Sequence, residues 1–104
     1  MSSERKRLPN RRTGIRVAIS KGSEKVYLCT GNYEDGSLGE IFLDMSKQGT
    51  FSRAMLNAFA IAVSVGLQHG VPLSAFQHSY RDFKMEPDII RDIFAELALL
   101  YENK

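Results

Sequence analysis

Four carboxylates in one short stretch are the first candidates for chemistry: Glu34, Asp35, Glu40 and Asp44. Converging carboxylate oxygens can bind a hard cation, and paired carboxylates can act as general acid and base. Asp35 precedes Gly36, however, and an Asp-Gly pair supplies the positive φ that a hairpin turn requires. Glu40 and Asp44 are an even number of residues apart and share the strand face directed away from the apolar set. This stretch therefore predicts a turn and a solvated strand face, without a metal site.

The other reactive side chains are His69, His78 and Cys29. A proline turn separates the two histidines, and a two-histidine site would still need a carboxylate or a water. His69 beside Gly70 is typical of a helix C-terminus, where positive charge is favoured. Cys29 falls inside a predicted strand, where cysteine usually behaves as a small hydrophobic residue. We find no nucleophile elbow and no phosphate-binding glycine loop, so we predict no catalytic residue, no metal and no cofactor.

Positive charge is concentrated in the first sixteen residues, although the net charge of the chain is only +2. The cations there are Arg5, Lys6, Arg7, Arg11, Arg12 and Arg16, and the only acid among them is Glu4. Such a segment can follow the phosphates of a nucleic acid or nucleotide, or it can be a solvated terminal arm. Residues 1–13 show no apolar periodicity, which predicts a flexible basic arm before a single domain at 14–104.

Alternating apolar residues predict three strands in the first half of the chain. Ile15, Val17 and Ile19 form the first apolar set, and Val26, Leu28 and Thr30 form the second. A loop from 31 to 39 follows, and the third set is Ile41, Leu43 and Met45. The short connections between these strands indicate an antiparallel meander.

The second half of the chain has a helical period. We predict helices over 51–69, with Thr50 as N-cap and Gly70 as the stop, then over 72–80, and then from Pro87 to Tyr101. The predicted fold is therefore α+β, with the order β-β-β-α-α-α and three helices packed on one face of a three-stranded antiparallel sheet.

The first helix is apolar around much of its circumference, so we expect it to be buried on several sides by the sheet, by other helices or by a second subunit. The sheet also has two open edges and one bare face, which together predict a homodimer. There is no secretory signal and no apolar run that is long enough to span a membrane. These absences predict a cytoplasmic protein that does not bind membranes.

Several segments, taken in order, resemble one protein family. They are LPNRRTG at 8–14, KVYL at 25–28, GNYEDGSLGEIFLDM at 31–45, NAFAIAVSVGLQ at 57–68 and GVPL at 70–73. This order resembles the C-terminal region of the bacterial cobalamin-dependent (class II) ribonucleotide reductases, often called the TSCPD domain. The segment IIRDIFAELALLY at 89–101 is similar to the helix that closes that region, so the resemblance covers about residues 8 to 101.

The resemblance implies ancestry and fold rather than reductase activity. In these reductases the radical chemistry, the cobalamin site and the nucleotide sites belong to a separate barrel, and a redox-active cysteine pair lies near the C-terminus. This chain has neither the barrel nor the pair, and it lacks the Ser-Cys of the signature that names the domain. It is also short between Tyr80 and Pro87, where the reductases typically carry a longer insert. The resemblance implies a detached accessory or regulatory domain.

Three hypotheses follow. The first is a non-catalytic interaction or regulatory module that acts through its sheet edge, its basic arm or a dimer surface, on a reductase or on another protein. The alternative is a nucleic-acid or nucleotide binder that uses the six cations, with Tyr27 or Tyr33 as a stacking surface. The third, ranked below both, is an enzyme that uses Cys29 or the histidines. Turn chemistry explains Asp35, Gly36 and Gly39 but does not require Tyr33 or Glu40, so these two residues are also candidates for recognition.

Overall fold

Three antiparallel strands precede three helices in the computed structural model, which describes residues 4–21, 24–45, 50–80 and 89–102. The elements are β1 (Arg16–Lys21), β2 (Glu24–Asn32), β3 (Leu38–Met45), α1 (Thr50–Gln68), α2 (Leu73–Tyr80) and α3 (Ile89–Tyr101). The predicted α+β order β-β-β-α-α-α is confirmed. The predicted N-cap contact of Thr50 involves a side chain that is outside the described part of the chain. The predicted start of the third helix at Pro87 also lies outside the described residues.

The sheet has the order β1-β2-β3, as a meander requires. Val17 pairs with Leu28, and Thr30 pairs with Ile41, so the apolar sets of the three strands share one face. The register shifts between Gly31 and Asn32, at the end of β2. This irregularity lies next to the hairpin that joins β2 to β3.

The core lies between that apolar sheet face and the helices. The sheet contributes Ile19, Val26, Leu28, Ile41 and Leu43, and the helices contribute Leu56, Ala60, Val63, Leu73, Ile93, Phe94 and Leu97. Phe94 is the centre of an aromatic cluster, with its ring centroid 5.5 Å from Tyr80 and 5.9 Å from both Phe59 and Phe76. These contacts join all three helices in one core.

Helix α1 ends at Gln68, and Gly70 turns the chain away from it as the sequence predicts. Gly70 has a φ of 93°, and its N–H donates to the carbonyl of Leu67 at 3.0 Å. The next N–H, that of Val71, donates to the carbonyl of Gly66 at 3.0 Å. This pair of bonds around a left-handed glycine is a Schellman motif, which closes a helix and turns the chain away from it.

One side of α1 packs on the core, and the opposite side is exposed to solvent. Phe51, Met55 and Ile61 are 78%, 56% and 63% exposed. The 18-residue stretch Phe51–Gln68 is the one helix of the described chain that is long and apolar enough to cross a membrane, and 22% of it is buried. A single such helix is weak evidence for a span, because core helices pass the same test. A cytoplasmic location stays a prediction.

Candidate functional site

The hairpin between β2 and β3 is a turn built by Asp35, Gly36 and Ser37. Gly36 has a φ of 88°, which lies in the left-handed region that glycine adopts readily. The Asp35 carboxylate accepts hydrogen bonds from the Ser37 hydroxyl at 2.6 Å and from the Ser37 N–H at 2.9 Å. These two bonds lower the pKa of Asp35. Turn chemistry therefore accounts for Asp35 and Gly36, as predicted.

Glu40 is buried, which corrects the prediction of a solvated strand face at this position. It shares the outward face of β3 with Phe42 and Asp44, yet only 9% of it is exposed. The Arg12 guanidinium covers it, with Nε 2.5 Å from Glu40 Oε2 and Nη2 3.5 Å from Oε1. Asp44 is exposed as predicted, and it faces Arg53 at 3.3 Å. Alternation identifies the face of a strand, but it does not show that a distant segment covers that face.

Gly31 lies beneath the ion pair between Arg12 and Glu40. Gly31 and Glu40 are register partners on β2 and β3. A Cβ at position 31 would lie 2.2 Å from Glu40 Oε2, which is closer than two such atoms can approach. The ion pair in this geometry therefore requires glycine at position 31.

We expect Gly31→Ala to lower the free energy of unfolding by about 1–3 kcal/mol, because the methyl group displaces the Glu40 carboxylate from Arg12. Urea denaturation measures this change. The clash is absent in Gly31→Ala/Glu40→Ala, so the double variant should lose less stability than the sum of the two single variants. Strictly additive losses would contradict this explanation.

Gln68, the last residue of α1, joins the helix to two distant parts of the chain. Its side chain is buried, with the amide nitrogen donating to the Gly39 carbonyl at 3.0 Å and the amide oxygen accepting from Arg5 Nε at 2.6 Å. Its backbone carbonyl accepts from the Lys6 N–H at 2.7 Å, which satisfies one of the carbonyls left open at a helix C-terminus. Arg5 and Lys6 thus attach the basic segment to the end of α1.

Tyr33, which lies in the hairpin, contacts Lys6 of the basic N-terminal segment. Its hydroxyl donates to the Lys6 carbonyl, and Lys6 Nζ lies 4.8 Å from the centroid of the ring, within the range of a cation–π contact. Burial raises the pKa of the Tyr33 phenol, an effect that Arg5 opposes and that Glu40 and Asp35 reinforce. The phenol therefore keeps its proton, and its role as donor, at neutral pH.

Arg7 and Arg11 are exposed on either side of Tyr33. Arg11 lines a shallow pocket of about 390 Å³ and Arg7 lines another of about 430 Å³, and Pro9 and Tyr33 contribute to both. The fold therefore brings five of the six predicted cations to the hairpin, where Tyr33 and Glu40 also lie. These five are Arg5, Lys6, Arg7, Arg11 and Arg12.

Arg16 and Tyr27 lie apart from this group, on the sheet face that is opposite the helices. The Arg16 guanidinium is 4.5 Å from the centroid of the Tyr27 ring, and Lys25 Nζ is 5.7 Å from it. Arg16 Nη1 also lies 3.7 Å from Cys29 Sγ. The predicted recognition residues thus form two groups, one at the hairpin and one on the open sheet face.

Two polar contacts between α1 and the edge strand β3 were not predicted from the sequence. The Ile41 N–H donates to Ser64 Oγ at 2.9 Å, and the Ser64 hydroxyl donates to the Ile41 carbonyl at 3.1 Å. Gln68 binds Gly39 one helical turn further on. Four helical residues advance about 6 Å and two strand residues about 6.7 Å, so the two spacings match. Polar residues four positions apart on an otherwise apolar buried face were the available signal.

The Tyr101 hydroxyl forms a third unpredicted contact, which joins the end of α3 to β2. It lies 2.6 Å from Asn32 Oδ1 and 2.7 Å from Thr30 Oγ1. An amide oxygen only accepts, so Tyr101 donates to Asn32 and receives the Thr30 proton. Thr30 Oγ1 in turn accepts the Ile15 N–H at 2.9 Å. The sequence pattern predicts Tyr101 only as the end of the last helix.

Within residues 4–21, 24–45, 50–80 and 89–102, no group of three or more His, Cys, Asp or Glu side chains could hold a metal ion. His69 follows the end of α1, and His78 lies in α2. The hairpin surface instead offers exposed arginines and two shallow pockets beside Tyr33.

Comparison with known proteins identifies the family of this chain. The family model of the TSCPD domain matches residues 3–98. The chain belongs to the TSCPD domain family. No solved structure matches this TSCPD chain.

The curated relatives of this TSCPD chain are much longer proteins. It is 45% identical over 115 aligned positions to a vitamin B12-dependent ribonucleotide reductase of Agrobacterium fabrum, and 42% identical over 115 positions to one of Bradyrhizobium diazoefficiens. Both alignments cover 97% of this chain but only 9% of the relative. A reductase of Streptomyces clavuligerus is 42% identical over 91% of the chain and 11% of the relative.

The predicted resemblance to the C-terminal domain of class II ribonucleotide reductases is therefore confirmed. The alignment of 115 positions is longer than the chain of 104 residues, so the Agrobacterium relative has residues that this TSCPD domain lacks. The reductase activity named for these relatives belongs to proteins about ten times its length.

Proposed function

We propose that this chain is a non-catalytic protein-interaction module of the TSCPD family, and that the exposed side of α1 is its main binding surface. We call this surface the α1 outer face. It consists of Phe51, Ala54, Met55, Ala58, Ile61, Ala62 and Val65. The observation that carries the proposal is that this face is entirely apolar and yet lies largely exposed to solvent.

The physical argument is the cost of hydrating such a surface. A helix of 19 residues is about 28 Å long, and the α1 outer face extends along most of it. Soluble domains rarely leave a contiguous apolar strip of that length uncovered, and those that do generally use it to bind another protein. Charged residues are absent from the strip, as they are from the centres of most protein interfaces.

A non-catalytic role is also supported by the distribution of reactive side chains. Asp35 is engaged in the hairpin turn, Glu40 in an ion pair with Arg12 and Asp44 in a contact with Arg53. The family relationship points to the same role, because this chain corresponds to about a tenth of the reductases that it resembles. A reductase, or another copy of this domain, is the class of partner that the relationship favours.

Photocrosslinking in the native cells tests the proposal. A photoreactive phenylalanine analogue at Ile61 should give adducts with protein, whereas the same analogue at Leu99 should not. Leu99 is the matched control because it is also apolar and 63% exposed, but lies on α3. Mass spectrometry would identify the captured chain. Equal capture at the two positions, or no protein adduct at Ile61, would overturn the proposal.

Binding of a nucleic acid or nucleotide is the second candidate function. It is favoured by Arg7 and Arg11, which are exposed on either side of the Tyr33 ring and line the two shallow pockets there. Arg5 and Arg12 are less available, because they bind Gln68 and Glu40. A ligand would therefore use the first pair of arginines for its phosphates and Tyr33 for stacking.

The test for this candidate compares Arg7→Ala/Arg11→Ala with Arg53→Ala in binding to a fluorescent single-stranded oligonucleotide. If the hairpin binds phosphates, the double variant alone should lose affinity, and the affinity of the unmodified chain should fall steeply as salt is raised. Binding that both variants retain, or that salt does not weaken, would rule out this use of the hairpin.

A further inference from the structure

The apolar residues of the α1 outer face follow the spacing of a helix-pairing seam. Phe51, Ala54, Ala58, Ile61 and Val65 are separated by three, four, three and four residues. This is the alternation that places side chains along a line facing a second helix. The only charged residue of α1 is Arg53, which is directed toward Asp44 on β3 and not into the seam. The strip is thus suited to another helix of similar character.

The strip is also symmetric in size about Ala58. Two copies of α1 that run antiparallel around a two-fold axis at Ala58 place Phe51 opposite Val65 and Met55 opposite Ile61. The small residues Ala54 and Ala62 face each other, and Ala58 faces its own copy at the axis. A small side chain at the crossing point lets two helix axes approach closely, and large side chains on both sides fill the space beside it.

We propose that the α1 outer face is covered by a second copy of this chain, with the two α1 helices packed antiparallel and crossing at Ala58. This inference rests on the proposed function and names its partner. The arrangement is isologous: the same strip serves both subunits, so no second complementary surface is needed. Antiparallel packing also places each positive helix N-terminus beside a negative C-terminus.

Charge complementarity beside the strip favours the same arrangement. Arg5, Phe42 and Ile61 line a single groove between β3 and α1, with Arg5 at the C-terminal end of the helix. Asp44 is exposed at the other end, near Arg53. A two-fold axis at Ala58 keeps the two grooves on the same side and reverses their direction. Each Arg5 therefore lies on the same side as Asp44 of the other copy and near the same end of the pair of helices.

The area of contact sets the strength of this dimer. One helix face about 28 Å long and about 10 Å wide, with Phe42 beside it, provides less than the ~800 Å² per partner of a standard stable interface. The dimer should therefore dissociate reversibly, with a dissociation constant on the order of micromolar. Its mass in solution should depend on concentration.

Sedimentation over a range of concentrations, with two charge variants, tests the oligomeric state. The unmodified chain and Leu99→Asp should dimerise alike, whereas Ile61→Asp should raise the dissociation constant at least about tenfold, because it places a carboxylate in the apolar seam. The proposal is overturned if the unmodified chain stays monomeric up to about 1 mM, or if Ile61→Asp dimerises as the unmodified chain does.

Disulfide trapping tests the geometry separately. In a Cys29→Ser background, Ala58→Cys should form a covalent dimer on mild oxidation, because the two thiols meet at the axis. Leu99→Cys in the same background should remain monomeric. Equal crosslinking of both would overturn the crossing at Ala58. Photocrosslinking at Ile61 that captured only a reductase chain would overturn this inference while the proposed function survived.

Discussion

Replacing Phe94 with alanine is expected to lower the free energy of unfolding by about 3–5 kcal/mol. Phe94 is 2% exposed, and its ring contacts one aromatic residue of α1 and two of α2. Removal of the ring therefore leaves a cavity where the three helices meet. Because the neighbouring rings are held by different helices, they can only partly move into the space. A loss of this size is a large part of the stability of a typical small domain.

Thermal and urea denaturation of Phe94→Ala measure this loss, and Leu99→Ala is the control. Leu99 lies on the same helix but is 63% exposed, so its truncation should change the free energy of unfolding by less than about 0.5 kcal/mol. Comparable losses for the two variants would show that the core is not centred on Phe94. The photocrosslinking and sedimentation variants at Leu99 depend on the same exposure, which this control checks.

Replacing Ser64 with alanine should cost about 2–4 kcal/mol, which is unusual for the loss of one hydroxyl group. Ser64 Oγ is bonded to both the N–H and the carbonyl of Ile41, and both residues are buried. The substitution leaves two backbone groups of an edge strand without a partner and out of reach of water. Each such group costs more than the hydrogen bond itself contributes.

Ser52→Ala is the control for Ser64→Ala, because it removes the same hydroxyl group at an exposed position of α1. Hydrogen exchange gives a readout that is specific to the mechanism. The Ile41 amide should lose protection in Ser64→Ala far more than the amides of β2 do. An unchanged exchange rate at Ile41, or equal destabilisation by the two serine variants, would refute this role for Ser64.

The strands and helices could be predicted from the sequence because each depends on local periodicity. Ile41 and Leu43 alternate with Phe42 in the expected sense, and Gly70 stops α1 by a local mechanism. The turn at Gly36 was predictable for the same reason. The pattern of apolar residues predicts only this architecture. The family was predicted from the order of several longer segments.

The environment of the candidate site was not predictable, because it depends on contacts between distant residues. Glu40 has the parity of a solvated position, and Arg12, 28 residues earlier, buries it. Turn chemistry predicts Gly39 as a turn residue, but its φ is not positive. A Cβ there would meet the side chain of Leu8 at 2.7 Å and that of Tyr33 at 2.8 Å. No local pattern shows which segment will approach a given glycine.

Gln68 has a consequence for the order of events in folding. It bonds to Arg5, 63 residues away, and to Gly39, 29 residues away, so both contacts close long loops. Loop closure costs entropy before it returns any contact energy, and we expect these bonds to form after the transition state for folding. Loss of the Gln68 amide should then accelerate unfolding and leave the folding rate nearly unchanged. The attachment of residues 5 and 6 would thus be among the last events in folding and among the first to be reversed.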